Sequence, residues 1–342
     1  MYYNYTKEQT MTSSLHNKHL LVNNAHQIPP QNVADADTPI QNLIHGRETY
    51  IADFGTDFVM KRPLPTFGLD ACQTWLQKQH RTKQAIDDIH AIGNPRYNIP
   101  RMIYIKDDEF QLLEERASGE HLTASLFKKL SQRQKYEIID GIAAFLVDMN
   151  ELKPVRSVHN HQISSELKFD RLSNFIDNKM LHWFTNSEIN YMSTIRDSIA
   201  EFTYDTRCAW SHCDLNSGNV LYDPQNSKLS FIDFAEANYS FIYRDIFSPL
   251  QIELGICRPV YQRYYQLHDK QKYVMPTPNN STLRNIMKYR LMFVLLRRFI
   301  KASDDLRTNP QSDKTITNNY NKIAFMREQI TAIKNIDKQF YK

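Results

Sequence analysis

Ser211–Ala237 reads SHCDLNSGNVLYDPQNSKLSFIDFAEA, and the reading of this stretch decides the rest of the chain. It holds two segments. The first is His212-Cys213-Asp214-Leu215-Asn216-Ser217-Gly218-Asn219, which runs into apolar Val220-Leu221. The second is Ser230-Phe231-Ile232-Asp233-Phe234. Between them lies Pro224-Gln225-Asn226-Ser227, a set of turn-forming residues. The stretch predicts loop, strand, turn, strand, with Asp233 at the end of the second strand. Two carboxylates and an amide oxygen then lie at one mouth. Such a set suits phosphoryl transfer: one carboxylate orients or deprotonates a hydroxyl, and the other two groups hold Mg²⁺ on nucleotide phosphates. Taken singly, Asp and Asn near turns are mostly turn and cap residues. The argument rests on their joint spacing.

The pattern H-x-D-x-x-x-x-N followed by I-D-F resembles the catalytic and metal loops of the kinase superfamily. Asp214-Leu-Asn216-Ser-Gly218-Asn219 is similar to the small-molecule branch, the aminoglycoside phosphotransferase and choline kinase-like enzymes, where the loop reads H-G-D-L-x-x-G-N. Protein kinases carry a basic residue two places after the catalytic Asp, where this chain has Asn216. The resemblance implies an α+β, bilobal protein kinase-like fold, with a small β-rich N-lobe and a larger, mainly helical C-lobe. It implies ATP and Mg²⁺ as cofactors, Asp214 as the catalytic carboxylate, and Asn219 and Asp233 as metal ligands.

Upstream, Ile40–Ile44, Thr49–Phe54 and Asp57–Lys61 read as three strands, joined by a turn at residues 45–48 and a tight turn at Gly55-Thr56. In the family these are the first strands of the N-lobe. Gly46 then lets the backbone approach phosphates, and Lys61 matches the lysine that pairs with the α- and β-phosphates. Asp53-Phe54-Gly55 spells the metal-loop tripeptide, but it precedes the lysine inside a hairpin and is assigned to a turn. Leu69–Ile92 is predicted helical, ended by Gly93-Asn94-Pro95. In the family this helix carries an acid for the lysine. No Glu occurs between Lys61 and Glu109, so an Asp (Asp70, Asp87 or Asp88), a Gln such as Gln73 or Gln77, or water is expected in that role, or else phosphate alone holds the lysine. Strands at Ile99–Ile105 and Phe110–Leu113 lead into Glu114-Glu115-Arg116-Ala117-Ser118-Gly119-Glu120, similar to the family's hinge, where backbone near Glu115 and Ala117 would bind adenine.

Ser131–Leu152 is the clearest helix, with Ile138, Ile142, Phe145, Leu146 and Met149 as its apolar stripe. Residues 155–210 are expected to be a further helical segment, carrying Leu172, Phe175, Ile176, Met180, Trp183 and Phe184 and then Ile189, Met192, Ile195 and Ile199. His159 and His161 are read as a solvated loop, not a metal site. Cys213 is read as a small filler, since a nucleophilic Cys needs an activating neighbour. Downstream, Tyr243-Arg244-Asp245-Ile246 resembles the segment whose buried Asp braces the catalytic loop. The remainder to Lys342 is expected to be largely helical.

Composition sets the outer bounds. The chain has 342 residues with 41% hydrophobic and 23% charged, enough for a buried core. The net charge of +4 is spread without a dense basic block, which argues against nucleic acid as partner. Cys72, Cys208, Cys213 and Cys257 form no C-x-x-C pair. The longest apolar run, Leu291–Leu296, is too short for a bilayer, and a soluble cytoplasmic protein without a membrane partner is expected. Residues 1–37 read as a polar leader, weakly ordered or accessory to the first lobe; 38–115 as the nucleotide-binding N-lobe; and 116–342 as the C-lobe with the acceptor pocket. The leading function is transfer of the ATP γ-phosphate to a hydroxyl of a small molecule of aminoglycoside, sugar or amino-alcohol type. The alternatives are a nucleotide-binding pseudokinase without turnover and a protein kinase-like enzyme.

Overall fold

The structure is a computed structural model that describes residues 40–45, 49–64, 66–154, 156–162, 184–200 and 203–268, with helical residues at 283, 286–288, 290, 294, 324, 327 and 331. By their contacts the residues divide into two compact units. The first runs to Glu120 and takes in Leu221–Glu236 as well. The second comprises His121–Val220 and the chain from Ala237 onward.

The first unit is built on strands β1 (Ile40–His45), β2 (Thr49–Phe54), β3 (Phe58–Pro63), β4 (Met102–Lys106) and β5 (Gln111–Glu115), in the order β1-β2-β3-β5-β4. Burial alternates along β2, so Tyr50, Ala52 and Phe54 point inward. They pack with Met60 and Leu113 into a small core. Gly55 turns the β2–β3 hairpin with a positive φ of 65°, which costs glycine little. The third strand continues to Pro63, so Lys61 sits within it, opposite Ile51 on one side and Leu112 on the other.

Helix α1 (Leu69–Ile92) buries Trp75, Gln79, Thr82, Ala85, Ile86 and Ile89, a stripe at helical spacing. It stops at Gly93 in the left-handed region, whose N–H returns to His90 O. Strands β9 (Val220–Asp223) and β10 (Lys228–Phe231) enclose the anticipated turn, where Asp223 Oδ1 accepts from the N–H groups of Gln225 and Asn226. Asn98 ties β10 to this unit: its N–H donates to Leu229 O and its carbonyl accepts from Phe231 N–H.

After the two-residue strand β6 (Glu120–His121), the second unit begins with α2 (Ala124–Lys129) and α3 (Gln132–Glu151). A capping box between Ser131 and Gln134 starts α3. Its apolar stripe is buried, and α7 (Cys257–Leu267) packs along it. Asn150 near the end of α3 is hydrogen-bonded at both ends of its amide: Nδ2 donates to Trp210 O and Oδ1 accepts from Tyr264 OH. Tyr243, Phe247, Tyr261 and Tyr264 form an aromatic stack behind it.

Residues 155–210 depart from the helical expectation. Strands β7 (Arg156–Gln162) and β8 (Thr203–Ser211) pair antiparallel, and β11 (Asn238–Phe241) extends the sheet as β11-β8-β7. Only α4 (Asn186–Ala200), which holds Ile189, Met192, Ile195 and Ile199, is helical there among the described residues. The apolar count pointed to a helix, but β8 is rich in Thr, Tyr and Trp, which favour strands once a partner exists. His159 and His161 thus lie on β7, with His161 opposite Tyr204, and not in a loop. Leu172–Trp183 lie outside the described residues. The short helices α5 (Tyr243–Ile246) and α6 (Pro249–Leu254) complete the set before α7. Among the described residues no helix is long and apolar enough to cross a membrane.

Candidate active site

Strand β8 delivers Ser211 into a loop that is held both by hydrogen bonds of its own and by a brace from Arg244 and Asp245. His212 is buried edge-on against Phe145, and its Nδ1 accepts the Asp214 N–H at 3.3 Å. Cys213 has a positive φ of 69°, and its N–H donates to both carboxylate oxygens of buried Asp245, at 3.2 and 3.1 Å. Arg244 completes this brace by donating to Cys213 O at 3.0 Å. The Cys213 thiol is pushed up to about 12, first by burial and then by the Asp245 charge. It is a poor nucleophile for that reason.

The Asp214 residue is exposed, and the Asn219 amide grips it twice: Nδ2 donates to Asp214 O at 2.8 Å and to Oδ2 at 2.9 Å. Asn216 closes the loop from inside. Its Oδ1 accepts from Gly218 N–H, its Nδ2 donates to Asp214 O, and its carbonyl accepts from Asn219 N–H. The residue that distinguished this loop from a protein kinase's is therefore a structural strut. Ser217 donates to Glu253 on α6 at 3.4 Å, which sets a carboxylate beside the loop.

In the first unit, Lys61 meets Glu114 of β5 at 2.5 Å. The helix acids proposed from sequence are engaged elsewhere or exposed. Asp87 takes Lys83, Asp88 accepts from Gln84, and Asp70, Gln73 and Gln77 are exposed. The acid comes instead from the neighbouring strand, two residues along from the position opposite Lys61, where no spacing within the helix could point to it. Burial by itself lowers the pKa of an ammonium, but Glu114 and then Asp233 outweigh it and hold Lys61 above the ordinary lysine range.

Asp233 lies just past β10 with φ 63° and is exposed. The segment after it is tied to α1: Thr82 donates to Phe234 O, and Lys78 pairs with Glu236. One cavity of this unit is lined by Lys61, Gln79, Glu114, Phe231 and Asp233. The structure thus brings Lys61 and Asp233 together in one unit, and Asp214 and Asn219 together in the other.

Gly46 lies outside the described residues. Glu115 closes β5, with its N–H on Arg101 O and its carboxylate accepting Arg101 N–H. Arg116 N–H donates to Asp57 O, and Ala117 follows directly. The Arg116 guanidinium binds Asp53 at 2.6 Å and also donates to Thr56 O and Phe58 O. The Asp53-Phe54-Gly55 tripeptide is thereby pinned as a hairpin end, as read from its position.

The oxygens of Asp233 and Asn219 are hard donors. With Nδ2 of Asn219 committed to Asp214, its Oδ1 is the atom left to accept. Each is the kind of oxygen that Mg²⁺ takes, one or two at a time, while phosphate and water complete its shell.

Solved structures share this fold. A GDP complex of wild-type aminoglycoside 2'-phosphotransferase-IIIa is 15% identical, with 93% of this chain and 98% of that chain covered and a TM-score of 0.60. A GDP and kanamycin complex described as APH(2")-IIIa is 17% identical, covering 94% and 98%, with a TM-score of 0.59. The choline kinase LicA from Streptococcus pneumoniae is 14% identical, covering 93% and 99%, with a TM-score of 0.51. No curated protein matches the chain by sequence. The sequence profile of the phosphotransferase enzyme family (APH) matches residues 53–273 of the 342, and with the fold it describes now in view, the chain belongs to that family.

Proposed function

We propose that this phosphotransferase is an ATP- and Mg²⁺-dependent kinase of a small hydroxylated molecule of aminoglycoside, sugar or amino-alcohol type. The observation that carries the reading is the exposed Asp214, fixed by Asn219 at both its carbonyl and its carboxylate. Asp214 orients the acceptor hydroxyl and takes its proton as the new O–P bond forms and the bond to the departing ADP breaks. Lys61 steadies the α- and β-phosphates. Asn219 and Asp233 hold the cation. Mg²⁺ held there would supply positive charge to neutralise the phosphate oxygens. Glu115 and Arg116 already commit their N–H groups within the protein, so Ala117 N–H is the next donor in line for the adenine. Gly46 belongs to the turn assigned to the phosphates. Positioning and electrostatics supply most of the acceleration in such a site.

The family and the fold support this reading, as do the nucleotide complexes among the similar structures. The pseudokinase alternative rested on the missing helix acid, and Glu114 gives Lys61 a carboxylate. The protein kinase-like alternative has no observation in its favour, with Asn216 built into the loop. The test is ATP consumption with Mg²⁺ by the full chain across aminoglycosides, sugars and amino alcohols. One class should be turned over. D214N should lose about 1,000-fold or more in kcat while still binding nucleotide. Full activity in D214N would sink the mechanism.

A further inference from the structure

Lys61 needs an acid to hold it, and α1 brings none. The buried polar side chains of α1 are Gln79 and Thr82. Thr82 donates to Phe234 O, and Lys78 on the same helix pairs with Glu236, so α1 is bound to the segment behind Asp233. The acid on Lys61 comes from the sheet. In the β3–β5 ladder Lys61 stands opposite Leu112, and Val59 opposite Glu114. Side chains two apart share a face of a strand. Glu114 is therefore the diagonal neighbour of Lys61 on one face, a spacing that long side chains close. They do close it, at 2.5 Å, with only 15% and 12% of the two side chains exposed.

We infer that Glu114 is the positioning residue for Lys61 in phosphoryl transfer, a carboxylate fixed by strand register where α1 offers only Gln79 and Thr82. The inference rests on Lys61 holding nucleotide phosphates. Its physical content is pre-organisation. A lysine has four flexible carbons and a compact charge, and its ammonium aids transfer only when it is already aimed. The ladder hydrogen bonds between β3 and β5 set that aim. A displacement of α1 would disturb the segment after Asp233 and leave the lysine pair intact.

The test uses the full chain and four variants: E114Q, K61M, K61M/E114Q and Q79E/E114Q. The first readout is competitive acetylation of Lys61 by acetic anhydride across the alkaline range, followed by mass spectrometry. In the unmodified protein Lys61 should acetylate only at a pH above that of surface lysines. In E114Q burial persists and one of two carboxylates is gone, so acetylation should begin at lower pH. The second readout is kcat/KM for ATP, expected to fall about 100-fold in E114Q. In the K61M background E114Q should add no further loss, because Glu114 acts through the lysine. Q79E/E114Q places a carboxylate on another wall of the same cavity. It should recover activity above K61M, and it carries the test should E114Q alone not fold. An unchanged acetylation profile and unchanged kcat/KM in E114Q would overturn the inference, as would an additive loss in K61M/E114Q or a folded Q79E/E114Q no better than K61M. Undiminished turnover in K61M would instead overturn the phosphate role of Lys61, and the inference with it.

Discussion

Cys213 shows how a single residue can be placed by the site without doing chemistry there. It stands between His212 and Asp214 at a positive φ, where a side chain other than glycine's is strained. Two hydrogen bonds from its N–H to Asp245 offset that strain. Its thiol and that of buried Cys257 are each pushed up to about 12, in both cases first by burial. At about pH 8, iodoacetamide should leave both unmodified in the native protein and alkylate both once denaturant is added. Rapid native alkylation of Cys213 would show that the brace is not formed. The same shifts have a thermodynamic sign. In the unfolded chain a thiol ionises near 9.0, while in the fold these two stay protonated. The folded state thus binds more protons above that pH, and stability should fall as pH rises from about 9 toward 12. Replacing Cys257 by Ser, measured by urea melts at several pH values, should flatten that slope.

At the scale of elements, Gly119 lies close against β9. Gly119 has φ 104°, and an added Cβ would lie 2.5 Å from the Tyr222 carbonyl carbon and 2.7 Å from Asp223 N. These are backbone atoms of a strand, which cannot swing aside as a side chain would. G119A should therefore destabilise the protein by about 3 kcal/mol, read as a lowered Tm. A Tm equal to that of the unmodified chain would refute the close approach. The elements also show where sequence reading succeeds. Leu69–Ile92 could be bounded from its apolar spacing and from Gly93, because propensity, periodicity and the left-handed stop all agree there. Arg156–Gln162 and Thr203–Ser211 could not, because each is a strand by virtue of partners far along the chain.

For the whole molecule, nucleotide binding is the most direct check on the proposed function. A ligand that binds only the folded state raises stability by about 2.7 kcal/mol at a hundredfold excess over its Kd. ATP with Mg²⁺ should raise Tm accordingly, D214N should keep that rise, and K61M should reduce it. Asp214, Asn219 and Asp233 stand out in the sequence because their spacing along one short stretch is itself the signal, and the structure fixes Asn219 to Asp214. The brace by Asp245 was legible too, through the resemblance of Tyr243–Ile246. The partner of Lys61 was not. Glu114 lies 53 positions further along the chain and reaches the lysine only because β5, not β4, is the neighbour of β3. Local pattern and chain order by themselves determined Leu69–Ile92, Gln132–Glu151, the hairpin at Gly55, the loop of Asp214 and the family. The tertiary structure alone decided which carboxylate meets Lys61, that α1 holds the segment after Asp233, and that Asn216 builds the loop it had only seemed to label. The physical reason is common to all three: each depends on which strand or helix lies beside which, and that is set by packing between residues far apart in sequence.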